Sequence, residues 1–422
     1  MREKVEDEFP ELTHSLISML WPNYLRPVPS MTIMQFTPKP GVLSGRQAVE
    51  VGTTLAARPI EGTACRFRTC HEVSLYPLIH AGVQAQHSRE ASILELALDV
   101  DSDQPLDALN IDHLRLHLGG GGYTARSLYL WLGHYLARLE LEIDGDVVPL
   151  PRDMLVPVGF EREHALLPYP RNAHQGYRIL QEYLCFPQAF HFVDLVGLQR
   201  WLPARHASRL VLRFVFSRTL PTAAKVRDEH LALYCTPAIN LFSHDADPID
   251  LNGERSEYRI CPSSRLPTHY EVFSVDVVQG WLESDSGKLR GESRQFVPFE
   301  SFQHQIERDR GHEARYYRVR VRDSLRGDGF DHDIAFLRDD EQLCVGLRET
   351  VSLRLTCSNR ILPERLAVGD INASTDTSPV YADYRNIIRP TPTLRPAMDG
   401  SLLWTLISNL SLNYLSLLER DA

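Results

Sequence analysis

Residues 93–100, ILELALDV, decide the fold class. Leu94, Leu96, Leu98 and Val100 alternate with Ile93, Glu95, Ala97 and Asp99. A period of two is the pattern of a strand with one face in a core and one in water. The same alternation recurs through Leu114, Leu116 and Leu118, then through Leu210, Leu212, Phe214 and Phe216. In YYRVRVR, Tyr317, Val319 and Val321 face one way and Arg318, Arg320 and Arg322 the other. Val351, Leu353, Leu355 and Cys357 alternate with Ser352, Arg354 and Thr356. Many short strands with few helices between them predict antiparallel sandwiches or barrels, not a βαβ fold. The expected class is mainly β with some α, in several domains with short helices.

Helices are expected where the period lengthens. Pro10 suits a first-turn position, and Leu12, Leu16 and Met19 share a face, so residues 10–20 predict an amphipathic helix broken by Trp21, Pro22 and Pro27. So short a helix needs a partner, in this chain or another. Leu128, Trp131, Leu132, Tyr135 and Leu139 predict a helix over 124–139. The proline-rich stretch 154–170 lacks a period and suggests a boundary. The expected division is a helical segment at 1–29, a first β-rich domain at 30–165, a second at 166–388, and a linker with the start of a further domain at 389–422. RPTPTLRP, residues 389–396, holds three prolines and reads as a semi-rigid extended connector.

The 422 residues exceed what one core usually organises. The net charge of −10 argues against a general nucleic-acid binder, which needs a basic face. No run of eighteen apolar residues spans a bilayer, and MREKVEDEFPEL lacks the apolar centre of a signal peptide. Cys65, Cys70, Cys185, Cys235, Cys261, Cys344 and Cys357 are scattered without a CxxC, which favours reduced, packed thiols of a cytosolic protein over a zinc site at Cys65 and Cys70.

Candidate chemistry is sparse. Gly119–Gly122 is followed by Tyr123, Thr124 and Ala125, which fits neither a P-loop nor a dinucleotide fingerprint, so a flexible turn is favoured. His174 and Glu182 lie two turns apart, not one, so no metal motif forms, and Asn172 offers a helix cap. Asp331, His332 and Asp333 form an acid–base or metal candidate against a plain turn. The Arg318, Arg320 and Arg322 stripe reads as a solvated face or a contact for an acidic protein. The residues alone support a soluble β-rich protein without an evident catalytic or cofactor site.

LPYPRNAHQGYRILQEYLCFPQAFHFVDL, residues 167–195, resembles the signature segment of the TssF family, a wedge subunit of the type VI secretion baseplate. Further ordered matches are DEFPELT with LWPNYLRPVPSMTIMQF, CRFRT, CTPAINLF, HYEVFSVDVV, CSNRILPERL, RPTPTLRP and WTLISNLSLNYLSL. Family members extend past both ends, so this chain is expected to be shortened. The resemblance implies a structural, non-enzymatic subunit without cofactor or metal. It implies pairing with TssG, usually in two copies, and joining TssK, TssE and the VgrG spike hub to nucleate a contractile tail. It also implies assembly in the cytoplasm at the inner membrane, without insertion.

By that resemblance, partner contacts are expected at Leu12, Leu16, Trp21 and Tyr24 and at Trp404, Leu410 and Tyr414, with burial in the chain itself as the alternative. Tyr169, Arg171, His174, Tyr177, Glu182 and Tyr183 are expected to form an interface or a structural clasp. Competing readings are a β-sandwich module for a glycan or peptide, which needs a concave patch of exposed aromatics, and a hydrolase using Asp331 and His332.

Overall fold

Alternation becomes burial in the computed structural model, which describes residues 23–169, 175–251, 255–283, 289–299, 315–324, 329–337 and 349–396. Leu94, Leu96 and Leu98 are buried, and Ser92–Val100 pairs with Leu78–His87 on one side and Arg209–Phe216 on the other. Leu136–Ile143 and Asp146–Leu150 complete this five-stranded antiparallel sheet. Its outer face is laced by charge: Arg213 reaches Glu95 at 2.6 Å and Glu142 at 2.5 Å across three adjacent strands. Opposite charges on neighbouring strands stabilise a wet face and fix register.

A second five-stranded sheet runs in the order Ala382–Asn386, Met31–Pro38, Cys235–Ile239, Arg66–Thr69, Thr54–Ala56. Met31–Pro38 is buried on both faces. Met34 and Phe36 enter a large core shared with the first sheet, while Met31 and Ile33 enter a smaller core with Phe186, Phe190 and Phe192. A strand covered twice reads as near-continuous apolar sequence, as MTIMQF does. A four-stranded sheet, Leu155–Pro157, Phe192–Val196, His113–His117 and Ala232–Leu233, packs into both cores. Strands on both sides of residue 165 thus share sheets: Arg209–Phe216 lies between Ser92–Val100 and Leu136–Ile143.

An eight-stranded sheet carries its own core. Its path is Phe242–Asp245, Glu349–Ser358, Glu271–Glu283, Leu289–Pro298, Tyr316–Asp323, Phe330–Leu337, Tyr258–Arg259, with Ile249–Leu251 also on Glu349–Ser358. Val351, Leu353, Leu355 and Cys357 point inward with Phe296, Ile334 and Phe336. The pair Leu289–Pro298 and Tyr316–Asp323 is parallel, the others antiparallel.

Two expectations change. The helix foreseen over 124–139 is α1, Gly122–Leu130, followed by a single π-turn at Trp131–Tyr135, after which Leu136 enters a strand. Leu139 keeps its burial because the strand, like the helix, turns it to the core. The connector at 389–396 is extended but docked along the chain's start: Leu394 and Val28 exchange backbone hydrogen bonds, and Arg395 clamps the Glu271 carboxylate at 3.1 and 3.0 Å.

The two β bodies meet at a pair of buried asparagines. The Asn240 side-chain amide donates to the Asn359 side-chain oxygen at 2.9 Å and to the Arg66 carbonyl at 2.7 Å. The Asn359 backbone N–H returns a bond to the Asn240 side-chain oxygen at 2.6 Å, and the Arg66 N–H donates to the Asn359 side chain at 3.1 Å. Asn240 follows a strand of the second sheet, and Asn359 follows Glu349–Ser358, the strand next to the edge of the eight-stranded sheet. Asn240→Ala strips several buried partners at once and is expected to lower unfolding free energy by about 2–3 kcal/mol, read from the urea midpoint. A loss no larger than that of an exposed asparagine overturns this role.

Candidate functional site

The segment 167–195 builds a helix whose apolar and charged faces are reversed. In α2, Gln175–Cys185, Arg178 and Glu182 stand one turn apart and face inward, 2% and 1% exposed. Leu180, Tyr183 and Leu184 share the opposite face and are 51%, 51% and 72% exposed. A surface helix ordinarily does the opposite.

The inward pair is engaged at every polar atom but the Arg178 Nε, which is buried without a partner among the described residues. Arg178 donates to Glu182 at 3.0 Å, and its Nη2 reaches the carbonyls of Gly159, Phe160 and Glu161 at 3.1, 2.9 and 3.1 Å. Glu182 accepts the backbone N–H groups of Leu166 and Leu167 at 2.8 and 3.1 Å. Past the strand Leu155–Pro157 the proline-rich stretch has, among the described residues, only one 3-10 turn, Arg162–His164, to satisfy its own backbone, so α2 completes it with side chains. Burial pushes the Glu182 carboxyl above its ordinary range, opposed by the Leu166 and Leu167 N–H groups and by Arg178. Removing one member leaves a buried charge without its counterpart.

Aromatic rings extend the outer face. Phe160 and Tyr183 each pack edge-on against Phe190, with centroids 5.6 Å apart. Phe160 is itself exposed. On the flank, the Tyr169 hydroxyl donates to Gln181 at 2.9 Å, and Gln181 donates to the Asn23 carbonyl at 3.1 Å. The buried Asn23 amide closes the loop onto the Pro168 carbonyl at 3.0 Å.

Beneath the site, Asp194 is held by Arg115 through two bonds of 2.8 Å and by His113 at 2.6 Å. Burial alone raises this carboxyl, but the Arg115 and His113 hydrogen bonds prevail and bring it to about 2. His71 and His117, packed around Phe192, are pushed down to about 3 by burial.

Among the expected site residues, Tyr169, Tyr177, Glu182 and Tyr183 gather on or beside α2. Tyr24 is half-buried next to Asn23. Leu12, Leu16, Trp21, Arg171, His174, Trp404, Leu410 and Tyr414 lie outside the described residues. Arg178, Leu180 and Leu184 were missed, although the i, i+4 spacing of Arg178 to Glu182 and the run Leu180, Tyr183, Leu184 carried the signal.

The Asp331–His332–Asp333 candidate lies in a strand, not a turn. Period two puts His332 on the face opposite the two aspartates. Arg259 reaches Asp331 at 2.6 Å and Asp333 at 2.8 Å, while buried His332 is pushed down to about 4 by desolvation. Arg320 and Arg322 of the arginine stripe hold Glu257 at 2.8 and 3.0 Å. These groups form an ion-pair ladder and not an acid–base pair.

The four glycines make a tight connection. Gly120, Gly121 and Gly122 have positive φ, and a Cβ on Gly119 would sit 2.2 Å from the Glu229 carbonyl oxygen. Among the described residues, no group of three or more His, Cys, Asp or Glu is arranged to hold a metal. Cys65, Cys70, Cys235 and Cys357 are buried free thiols, Cys185 and Cys261 are half-buried, and Cys344 lies outside the described residues. A cavity of about 500 Å³ beside Lys39, Arg58, Ser374, Thr375 and Tyr384 is polar and open, with Tyr384 as its one aromatic. It is not the concave aromatic patch a glycan or peptide module needs.

The comparisons with known proteins bear on the whole chain. The family model described as "Type VI secretion system, TssF" matches residues 1–422. The chain belongs to the TssF family. A curated relative, the type VI secretion system component TssF1 of Pseudomonas aeruginosa, is 32% identical over 99% of this chain and 71% of its own length. A chain in the cryo-electron microscopy structure of the TssK-TssF-TssG baseplate subcomplex is similar with a TM-score of 0.80. It is 32% identical, over 98% of this chain and 75% of that one. A chain in the baseplate complex from the type VI secretion system gives 0.60 at 28% identity, over 97% and 70%.

Arg178→Ala is expected to destabilise by about 3–5 kcal/mol, because Glu182 and three carbonyls lose their partner. Replacing both residues with Ala should cost less than the sum of the single changes, read by denaturant melts of all three variants. Histidines held neutral below their unfolded pKa stabilise the fold fully above about pH 6.5, and that contribution falls away as pH drops toward 3. Asp194 adds a loss between about pH 4 and its folded value of about 2. His117→Phe should flatten the decline between pH 6.5 and 4 by about one proton. An unchanged slope in urea melts refutes the assignment.

Proposed function

We propose that this chain is a non-catalytic scaffold of the type VI secretion baseplate, working in an assembly with TssG and TssK. The observation that carries this reading is the likeness, TM-score 0.80 over 98% of the chain, to a chain of the TssK-TssF-TssG subcomplex. The physical design supports it. Two β bodies, one of four smaller sheets and one of eight strands, are pinned at Asn240 and Asn359, which suits a part that must transmit position rather than turn over substrate. The charged groups nearest to a catalytic constellation are spent on ion pairs.

Finer roles follow from the family resemblance. Two copies of the chain pair with one TssG, and the wedge so formed meets TssE and the VgrG hub to start tail assembly. The assembled wedge sits at the cytoplasmic face of the inner membrane. Among the described residues no helix is long and apolar enough to cross a bilayer. Trp404, Leu410 and Tyr414 serve as partner contacts. Large apolar side chains of this kind are favourable contacts for a partner.

Co-expression with the TssG-like protein from the same gene neighbourhood, followed by size-exclusion chromatography with light scattering, tests the reading. A stable complex of two copies of this chain to one partner is the expected result. Separate elution of two well-behaved proteins overturns TssG pairing for this chain.

A further inference from the structure

The sheet with Ala382–Asn386 at one edge and Thr54–Ala56 at the other bends until one segment touches both edges. Gly369 donates its N–H to the Asn386 carbonyl at 3.0 Å, and Ala373 donates to the Ala56 carbonyl at 2.9 Å. The Thr375 hydroxyl donates to the Thr54 carbonyl at 2.9 Å. This crossing leaves part of the first edge open. The Lys39 N–H reaches the Tyr381 carbonyl at 3.0 Å and the Ile387 N–H reaches the Ile33 carbonyl at 2.9 Å. These two bonds fix the alternation: Asp383 and Arg385 turn their backbone groups toward Met31–Pro38, and Ala382 and Tyr384 turn theirs away. Among the described residues nothing bonds the N–H and C=O groups of Ala382 and Tyr384, although both residues are buried. A strand edge left in this state is a template for another strand. The cavity of about 500 Å³ opens against these two residues. It is lined as well by Arg58, which is exposed and lies two positions past Thr54–Ala56. Among the described residues Arg58 has no ion pair or hydrogen bond. Lys39, the other cation of the lining, is committed to the Val380 carbonyl at 2.9 Å and to Asp383 at 3.7 Å.

We propose that this cavity takes an extended acidic peptide segment of another protein, added as a strand beside Ala382–Asn386 with a carboxylate on Arg58. The main chain favours a peptide over a small anion. Ala382 and Tyr384 present both donors and acceptors at strand spacing, and an anion answers only the donors, whereas a second strand answers both. Charge favours an acidic one. The lining sets Lys39 and Arg58 against the single carboxylate of Asp383, a local positive surplus on a chain of net charge −10. The volume lies within the range of binding clefts, about 300–1,000 Å³. Strand addition draws its affinity from backbone bonds, so the scarcity of aromatic rings here is no obstacle. The site stands independently of the baseplate reading.

Fluorescence anisotropy with the full chain tests it. The probes are labelled six-residue peptides of valine and threonine, which favour strands, around one central glutamate. These should bind, and glutamine in place of the glutamate should weaken binding about threefold or more. Arg58 holds nothing else among the described residues, so Arg58→Glu leaves the fold in place. That variant should lose the glutamate peptides and prefer lysine-centred ones. N-methylation at successive peptide residues should alternate between tolerated and about tenfold weaker, because only every second amide of an added strand faces the edge. With peptide at about ten times its Kd, hydrogen exchange at the Ala382 and Tyr384 amides should slow about tenfold. Absence of binding, indifference to N-methylation, or indifference to Arg58→Glu overturns the proposal. Displacement of the peptides by inorganic phosphate at equal concentration assigns the cavity to a free anion and likewise overturns it.

Discussion

A buried amide that loses water must find its partners inside the protein, and the Asn240 amide does so in Asn359 and the Arg66 carbonyl, while the Asn359 Nδ2 is left without one among the described residues. Their mutual bonds, with the Arg66 backbone as third party, join the body of four smaller sheets to the eight-stranded one. Apolar packing is indifferent to small rotations, whereas a set of short directional bonds is not. The angle between the bodies is thereby specified. The Glu271–Arg395 pair, drawn from the start of Glu271–Glu283 and the docked connector, acts as a second brace in the same region. Proline at 390, 392 and 396 keeps that connector extended, so the brace reaches across without a sheet of its own.

The clasp at Arg178 and Glu182 obeys the same rule at larger cost. The stretch 159–167 has little regular structure, and its backbone groups are turned inward. Satisfying them with a guanidinium and a carboxylate fixes α2 by its polar side. Its apolar side, Leu180, Tyr183 and Leu184, must then face outward.

Much of the fold was legible because strands with one wet face leave a period of two in the sequence. ILELALDV, RLVLRFVF and VSLRLTC are strands as read. Helix length was not legible past Leu130: the apolar spacing at Leu128, Leu132 and Leu139 continues although the backbone changes at Leu136, since all three face one core under either geometry. Asp331 and Asp333 looked like turn residues because carboxylates seldom lie buried in strands. Arg259, far away in sequence, removes that objection. Glu182 was noticed and Arg178 was not, because a charged pair on a surface helix is commonplace and its burial depends on the loop beneath.

The residues alone determined the mainly β class, the family resemblance and the absence of familiar catalytic motifs, since these rest on local periods and ordered segments. Strand order was decided only by tertiary structure. Met31–Pro38 pairs with Cys235–Ile239 and Ala382–Asn386, partners some two hundred and three hundred and fifty residues apart, and no local pattern encodes such a meeting. The inverted helix was decided there too. Whether Arg178 faces in or Leu180 does depends on which set of partners waits below, and the waiting backbone of residues 159–167 makes the charged face the inner one.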